Sequence, residues 1–309
     1  HIKGDRVVFL MYLYSQEYAD EDGFRVDEYY SLPFSEQNGE VPPITTLSIC
    51  GVDGLENIRC YSESSWQYQH SKPVARYTYV DDSGGTYACT GFLLTDGRGK
   101  NRFLTNNHCA NSQSEVNSLT ANFTYQHTCC SCSSTESGTY HDGDDFLVAD
   151  GGGDFSLLTL SGNPADTQGQ LTIDSSAPDC GDELYTIGHP GVTYDGRKRI
   201  DLSAECEVAS CWLSFEHTCD TEQGSSGSPL IDYWSDNVVA IHHSASLWCP
   251  IDANGGTSMA DIYPVISSYM ACDCSSGTCC DGCSYRSSST VCQVNADSDY
   301  GGPWGTSCG

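Results

Sequence analysis

A serine between glycines, Gly224-Ser225-Ser226-Gly227, lies between Asp220-Thr221-Glu222-Gln223 and an apolar run opening Ser228-Pro229-Leu230. Glycines let neighbouring N–H groups turn toward one point, which is how a developing oxyanion is received. A hydroxyl on such a loop is placed to attack a carbonyl, although the stretch alone also reads as a Ser/Gly turn between strands. Two upstream stretches supply what a serine nucleophile lacks. Phe103-Leu104-Thr105-Asn106-Asn107-His108-Cys109 puts an imidazole just past an apolar strand, and Cys89, one strand earlier, offers a disulfide to pin that loop. Gly151-Gly152-Gly153-Asp154-Phe155 puts a carboxylate at the head of a buried strand, where it is costly unless hydrogen-bonded and an imidazole N–H would satisfy it. His108, Asp154 and Ser226 thus offer a base, an orienter and a nucleophile in the order of one known solution to acyl transfer. Asp145, ahead of Phe146-Leu147-Val148, is the rival orienter; the longer apolar run and the glycines favour Asp154. The acidic run His141-Asp142-Gly143-Asp144-Asp145 lacks a recognised metal-ligand spacing, so neither a metal nor a cofactor is expected.

The elements that must hold these groups read as β. Between 47 and 261, short β-branched or aromatic runs alternate with Gly, Asp and Asn, and strands are expected at 74–80, 88–94, 102–105, 154–160, 184–187, 213–215, 229–233 and 238–242. Many short strands with turns between them imply a sandwich or barrel. One helix is expected at 262–272, where Ile262, Val265, Ile266 and Tyr269 share a face. Residues 1–46 hold no cysteine and one strong strand pattern, at 6–15; they are an extra strand layer, a prosegment remnant or an assembly segment. Residues 47–271 form the main domain. Residues 272–309 carry seven cysteines and almost no aliphatic side chains, a module that disulfides rather than burial must hold. Its Cys279-Cys280-Asp281-Gly282-Cys283 stretch resembles a fragment of disintegrin-type modules, or is a generic cysteine-dense tail.

With 42 acidic against 13 basic residues the formal charge is −29, which repels nucleic acid and anionic lipid. No apolar run is long enough to span a bilayer. Nineteen cysteines without zinc spacing point to disulfides, an extracellular location and one cysteine over from the pairs. A removed leader is expected from the initial His1. Asn122-Phe123-Thr124 is a glycosylation sequon.

Five blocks in order, Ala88-Cys89-Thr90-Gly91, the His108-Cys109 stretch, Asp154-Phe155 with Leu157-Leu158, Ile187-Gly188-His189-Pro190 and Thr221-Glu222 through Pro229, resemble chymotrypsin-fold serine proteases. The likeness is greatest to the secreted lysyl endopeptidase-like and glutamyl endopeptidase branch, and runs from about residue 50 to 265. It implies an all-β fold of two antiparallel six-stranded β-barrels with the active site between them, a short C-terminal helix and the cysteine-rich tail. The N–H groups of Gly224 and Ser226 would form the oxyanion hole. Ser225 stands where digestive members carry an Asp that pairs with a newly freed N-terminus, so that switch is absent. Asp220 would floor the S1 pocket, with His242 and Ala245 on its wall, implying a preference for basic P1 residues in protein or peptide substrates. Lysyl members take their lysine-binding Asp from a later loop, but 254–259 holds no carboxylate; Asp252 could replace it after a loop shift. Ala245 and Ala260 stand where glycines keep the pocket wide. The resemblance implies Cys50–Cys249 and Cys60 with Cys129 or Cys130, beside the expected Cys89–Cys109. A rival pairing is Cys219–Cys249, and Cys206–Cys211 would close a short hairpin. The other reading is a protease-fold adhesion or assembly protein, contacting a matrix or itself through the extension and tail.

Overall fold

In the computed structural model the described residues are 47–95, 101–136, 138–211, 214–246 and 253–270, with three short tail strands. Segment 1–46, including the strand expected at 6–15, lies outside them, as do Cys249, Asp252 and most of the tail.

Two short strands, β1 (Leu47–Ser48) and β2 (Leu55–Asn57), precede helix α1 (Trp66–Ser71), whose N-terminus Ser65 caps by accepting the Tyr68 amide. The next six strands are β3 (Val74–Val80), β4 (Thr86–Leu93), β5 (Arg102–Thr105), β6 (Thr120–Asn122), β7 (Tyr140–Asp150) and β8 (Phe155–Leu160). They close into an antiparallel barrel in the order β3-β4-β5-β8-β7-β6. Closure follows from β3, long enough to pair with β4 along its whole length and with β6 at Arg76–Thr78. Tyr77, Phe103, Phe123, Leu158 and Leu160 fill the interior, and the Tyr77 hydroxyl is satisfied there by Thr105 Oγ1 at 2.7 Å. Each such large side chain contributes roughly 1.5–3 kcal/mol by leaving water. Helix α2 (Gln113–Ser118) lies between β5 and β6.

The second half comprises β9 (Leu184–Gly188), β10 (Arg199–Asp201), β11 (Val208–Ser210), β12 (Phe215–His217), β13 (Thr221–Glu222), β14 (Pro229–Asp232), β15 (Val238–Ser244) and β16 (Asn254–Ser258). Seven of these and β2 form one eight-stranded sheet, ordered β11-β12-β16-β15-β14-β9-β10-β2, while β13 pairs with β1 apart from it. Among the described residues this half is therefore a half-barrel, open where a second six-stranded barrel was expected. Its edge strands, β2 and β11, are three residues long, and Val208 of β11 also exchanges backbone hydrogen bonds with Gly181 and Asp182, just ahead of β9. The closing helix α3 (Met259–Met270) starts three residues before the expected one, because Ser258 caps it by accepting the Asp261 amide. Phe155 and Leu157 of the barrel, Ile187, Ile231 and Ile241 of the sheet, and Ile262 and Ile266 of α3 share one buried cluster. No described helix is long and apolar enough to cross a membrane.

Disulfides join Cys89 to Cys109, Cys60 to Cys130 and Cys129 to Cys132. Neither Cys206–Cys211 nor Cys219–Cys249 forms. The antiparallel β11–β12 pair brings Cys206 and Cys219, which flank it, to a Cα separation of 4.0 Å, and Cys211 bonds Cys180. Cys50 is also disulfide-bonded. Asn122 is 6% exposed within β6, so the folded domain does not offer the sequon to solvent.

Candidate active site

The His108 loop is built at the end of β5. Buried Asn106 starts the turn, its carbonyl accepting from the Cys109 and Ala110 amides, and its Nδ2 donates to the Asp154 carbonyl at 2.7 Å. The Cys89–Cys109 disulfide ties the loop to β4. Asp154 enters from the other side, after the three glycines, with φ at +50°. That conformation is uncommon for a residue with a Cβ and is held by its surroundings. Asp154 Oδ1 accepts the His108 backbone N–H at 2.8 Å and Oδ2 accepts the ring Nδ1–H at 2.6 Å. The carboxylate thereby fixes the proton on Nδ1 and leaves Nε2 with its lone pair. Asp145 is elsewhere: it is exposed on β7, and its amide donates to Thr159 Oγ1.

Ser226 lies on the loop between β13 and β14. The Ser225 amide donates to the Glu222 carbonyl, closing a tight turn, and the Glu222 amide donates back to Ser225 Oγ. Thr90 of β4 braces the loop twice, its N–H donating to the Ser226 carbonyl at 2.8 Å and its Oγ1 to the Gly224 carbonyl at 2.8 Å. Gly227 has to be glycine: φ is +91°, and a Cβ would lie 1.9 Å from the Thr90 carbonyl oxygen. The Ser225 and Gly227 amides are bonded, to Glu222 and His242. Those of Gly224 and Ser226 have no protein acceptor among the described residues. His108, Gly224 and Ser226 line one cleft of about 560 Å³, rimmed by Tyr79, Asp82 and Tyr87.

The expected specificity residues are placed differently. Asp220 is 2% exposed, and both its carboxylate oxygens are engaged, by the Cys50 amide at 2.6 Å and the Gly54 amide at 2.7 Å. Burial pushes it up to about 6. Asp220 therefore does not present a carboxylate to a bound lysine or arginine. Counting from Ser226 locates the residue, but not partners some 170 positions upstream. His242 is buried with His217, Nδ1 to Nε2 at 3.0 Å, a partner that spacing gave no sign of. Burial lowers His217 to about 3 and His242 well below the ordinary range, so both rings are neutral. Ala245 is exposed past the end of β15, and Ala260 lies in the first turn of α3. The 254–258 stretch is strand β16, and Asn254 Nδ2 donates to the Cys219 carbonyl at 2.9 Å. Glu222 and Thr90 stand in the resembling blocks, but their contacts were not legible there: Glu222 Oε2 accepts the Val192 and Thr193 amides, fastening the neighbouring loop under the turn. Among the described residues, Cys89, His108 and Cys109 are the grouping of ligand atoms close enough for one ion, and the disulfide consumes both sulfurs.

Residues 52–263, more than half the chain, match the family of the lysyl endopeptidase C-terminal domain. Secreted RxLR effector protein 73 of Plasmopara viticola is 30% identical over 247 residues, 74% of this chain; the chain spans 57% of that relative's length. Two solved structures share the fold. A Glu endopeptidase in complex with MPD is 19% identical, with a TM-score of 0.52 over 72% of this chain and 98% of its own. The thermostable serine protease AL20, from an extremophilic microorganism, is 14% identical, with a TM-score of 0.51 over 65% of this chain and 97% of its own. The closed barrel, the half-barrel and the matched span together place the chain in the lysyl endopeptidase C-terminal domain family of chymotrypsin-fold serine proteases.

Proposed function

We propose that the protein is a secreted serine endopeptidase that cleaves peptide bonds through an acyl-enzyme. Ser226 Oγ attacks the scissile carbonyl while His108 Nε2 takes its proton; the same nitrogen then protonates the leaving amine, and water reverses the sequence. Asp154 holds the ring orientation and stabilises the imidazolium. The Gly224 and Ser226 N–H groups receive the oxyanion, each contact typically contributing about 3–4 kcal/mol in the transition state. The observation that carries this reading is the grip of one carboxylate on both N–H groups of His108, at 2.8 and 2.6 Å. An adhesion or assembly protein on the same fold has no use for a ring held in one tautomer beside a serine. A basic P1 preference has no carrier at Asp220, so acyl-side selection falls to other groups. Secretion is supported by five disulfides among the described residues and by the secreted relative. An unbiased peptide library tests the proposal: wild type should cut internal bonds and His108→Ala should not. Equal cleavage by both would assign the activity to a contaminant and reject it.

A further inference from the structure

Asp220 is buried, and the proposed reaction gives it nothing to do. No lysine or arginine pairs with it among the described residues; the acidic groups around it are Asp201 and Asp53. A carboxylate out of water and beside like charges is costly, and here backbone N–H groups supply the compensation. Two of them come from one segment, Cys50 N–H to Oδ1 at 2.6 Å and Gly54 N–H to Oδ2 at 2.7 Å. Asp220 is itself fixed, its amide donating to Asp201 Oδ2 at 2.7 Å. Next to it β1 pairs antiparallel with β13, Leu47 opposite Glu222 and Ser48 opposite Thr221. Glu222 then closes the turn onto the Ser225 amide, and the Gly224 and Ser226 amides follow directly. One residue, Thr221, separates the buried carboxylate from the turn that presents the nucleophile.

We infer that Asp220 is a positioning residue: it clasps segment 47–54 onto β13, and the clasp holds the turn that presents the Gly224 and Ser226 N–H groups. Ser225 carries no charge with which to hold this turn, and Asp220 secures it from the other side through a segment internal to the chain. The inference rests on the endopeptidase reading of the same site and reassigns a residue that spacing alone makes a P1 receptor. Asn at position 220 keeps one acceptor but sets an NH₂ donor against a backbone N–H.

The test is Asp220→Asn in the full chain, with kcat and KM normalised to the number of Ser226 hydroxyls titrated, across substrates with Lys, Ala, Glu and Phe at P1. The clasp predicts that kcat per titrated site falls about tenfold or more, as expected for losing one charge-assisted bond, by the same factor for every P1 residue and with KM little changed. A loss confined to Lys and Arg at P1 would restore the receptor role and overturn the inference. So would an unchanged kcat per titrated site with fewer sites titrated, the mark of a purely structural contact. If the variant does not fold, the wild type carries the test by amide hydrogen exchange. Blocking Ser226 with a peptidyl phosphonate should slow exchange at Cys50 and Gly54, since coupling between two sites is reciprocal; no change overturns the clasp. A wild type that neither cleaves peptides nor reacts with the phosphonate removes the enzyme reading itself, a failure distinct from those above.

Discussion

Replacing Lys198 by methionine should flatten the rise of stability with pH between about pH 7 and 9. Lys198 is fully buried where the barrel meets the sheet, its Nζ donating to the Ser71 carbonyl at 2.6 Å and the Phe123 carbonyl at 2.7 Å. Burial lowers it to about 7 from an ordinary 10.5. Between those values the unfolded chain holds a proton that the folded protein has released, so stability rises with pH through the window. Each pH unit fully inside it adds about 1.4 kcal/mol, and because the slope is only half developed near pH 7, the gain to pH 9 is about 2 kcal/mol. The histidines lowered by burial, His70, His127, His189, His217, His242 and His243, add a slope of the same sign near pH 7 that fades as the unfolded imidazoles, ordinarily near 6.5, lose their last protons; it is common to both proteins and drops out of their comparison. The tyrosines raised by burial act nearer pH 10 and in the opposite direction. Urea unfolding at half-unit steps gives the slope for each protein. Methionine leaves two carbonyls without their donor, so absolute stability will change and the slope is the readout. A slope in Lys198→Met equal to that of wild type would refute the assignment of a depressed lysine to this junction.

Two further outcomes follow from the same geometry. Asp154→Asn offers an NH₂ group to His108 Nδ1 and so favours the wrong tautomer; kcat should fall about 10⁴-fold while thermal denaturation moves little, measured by peptide hydrolysis and calorimetry. Removing the Cys89–Cys109 disulfide by a double serine substitution opens a loop with a separation of 20 residues and should cost about 3 kcal/mol, read from denaturant midpoints, with the His108 loop loosened as well.

Strands with β-branched or aromatic runs were legible with little error. The 74–80 and 102–105 patterns coincide with β3 and β5, and the His108 and Asp154 loops follow from the strands that precede or follow them. Strand β7 was not legible, because Asp142, Asp144, Asp145 and Gly143 interrupt its apolar residues and two register shifts break the alternation. Strand β16 read as a loop because of Gly255 and Gly256. The second of these is required by packing, since a Cβ there would lie 2.9 Å from the Ile241 carbonyl oxygen. His108, Asp154 and Ser226 each sit on a turn that could be read locally. What stabilises and surrounds them could not: the Asp220 bonds to Cys50 and Gly54, the His217–His242 pair and the Cys206–Cys219 bridge are contacts set by the sheet order rather than by spacing. Asp220 shows the consequence, since its position relative to Ser226 suggests a receptor while its partners make it part of the frame.

The proposed mechanism turns on a Ser226 hydroxyl activated by His108. Intact-mass analysis of the folded full chain after reaction with a fluorophosphonate tests it most directly. One adduct per chain is expected, mapped to Ser226, absent in Ser226→Ala and much slower in His108→Ala. Folded protein that takes up no adduct, or one that persists in Ser226→Ala, would contradict it.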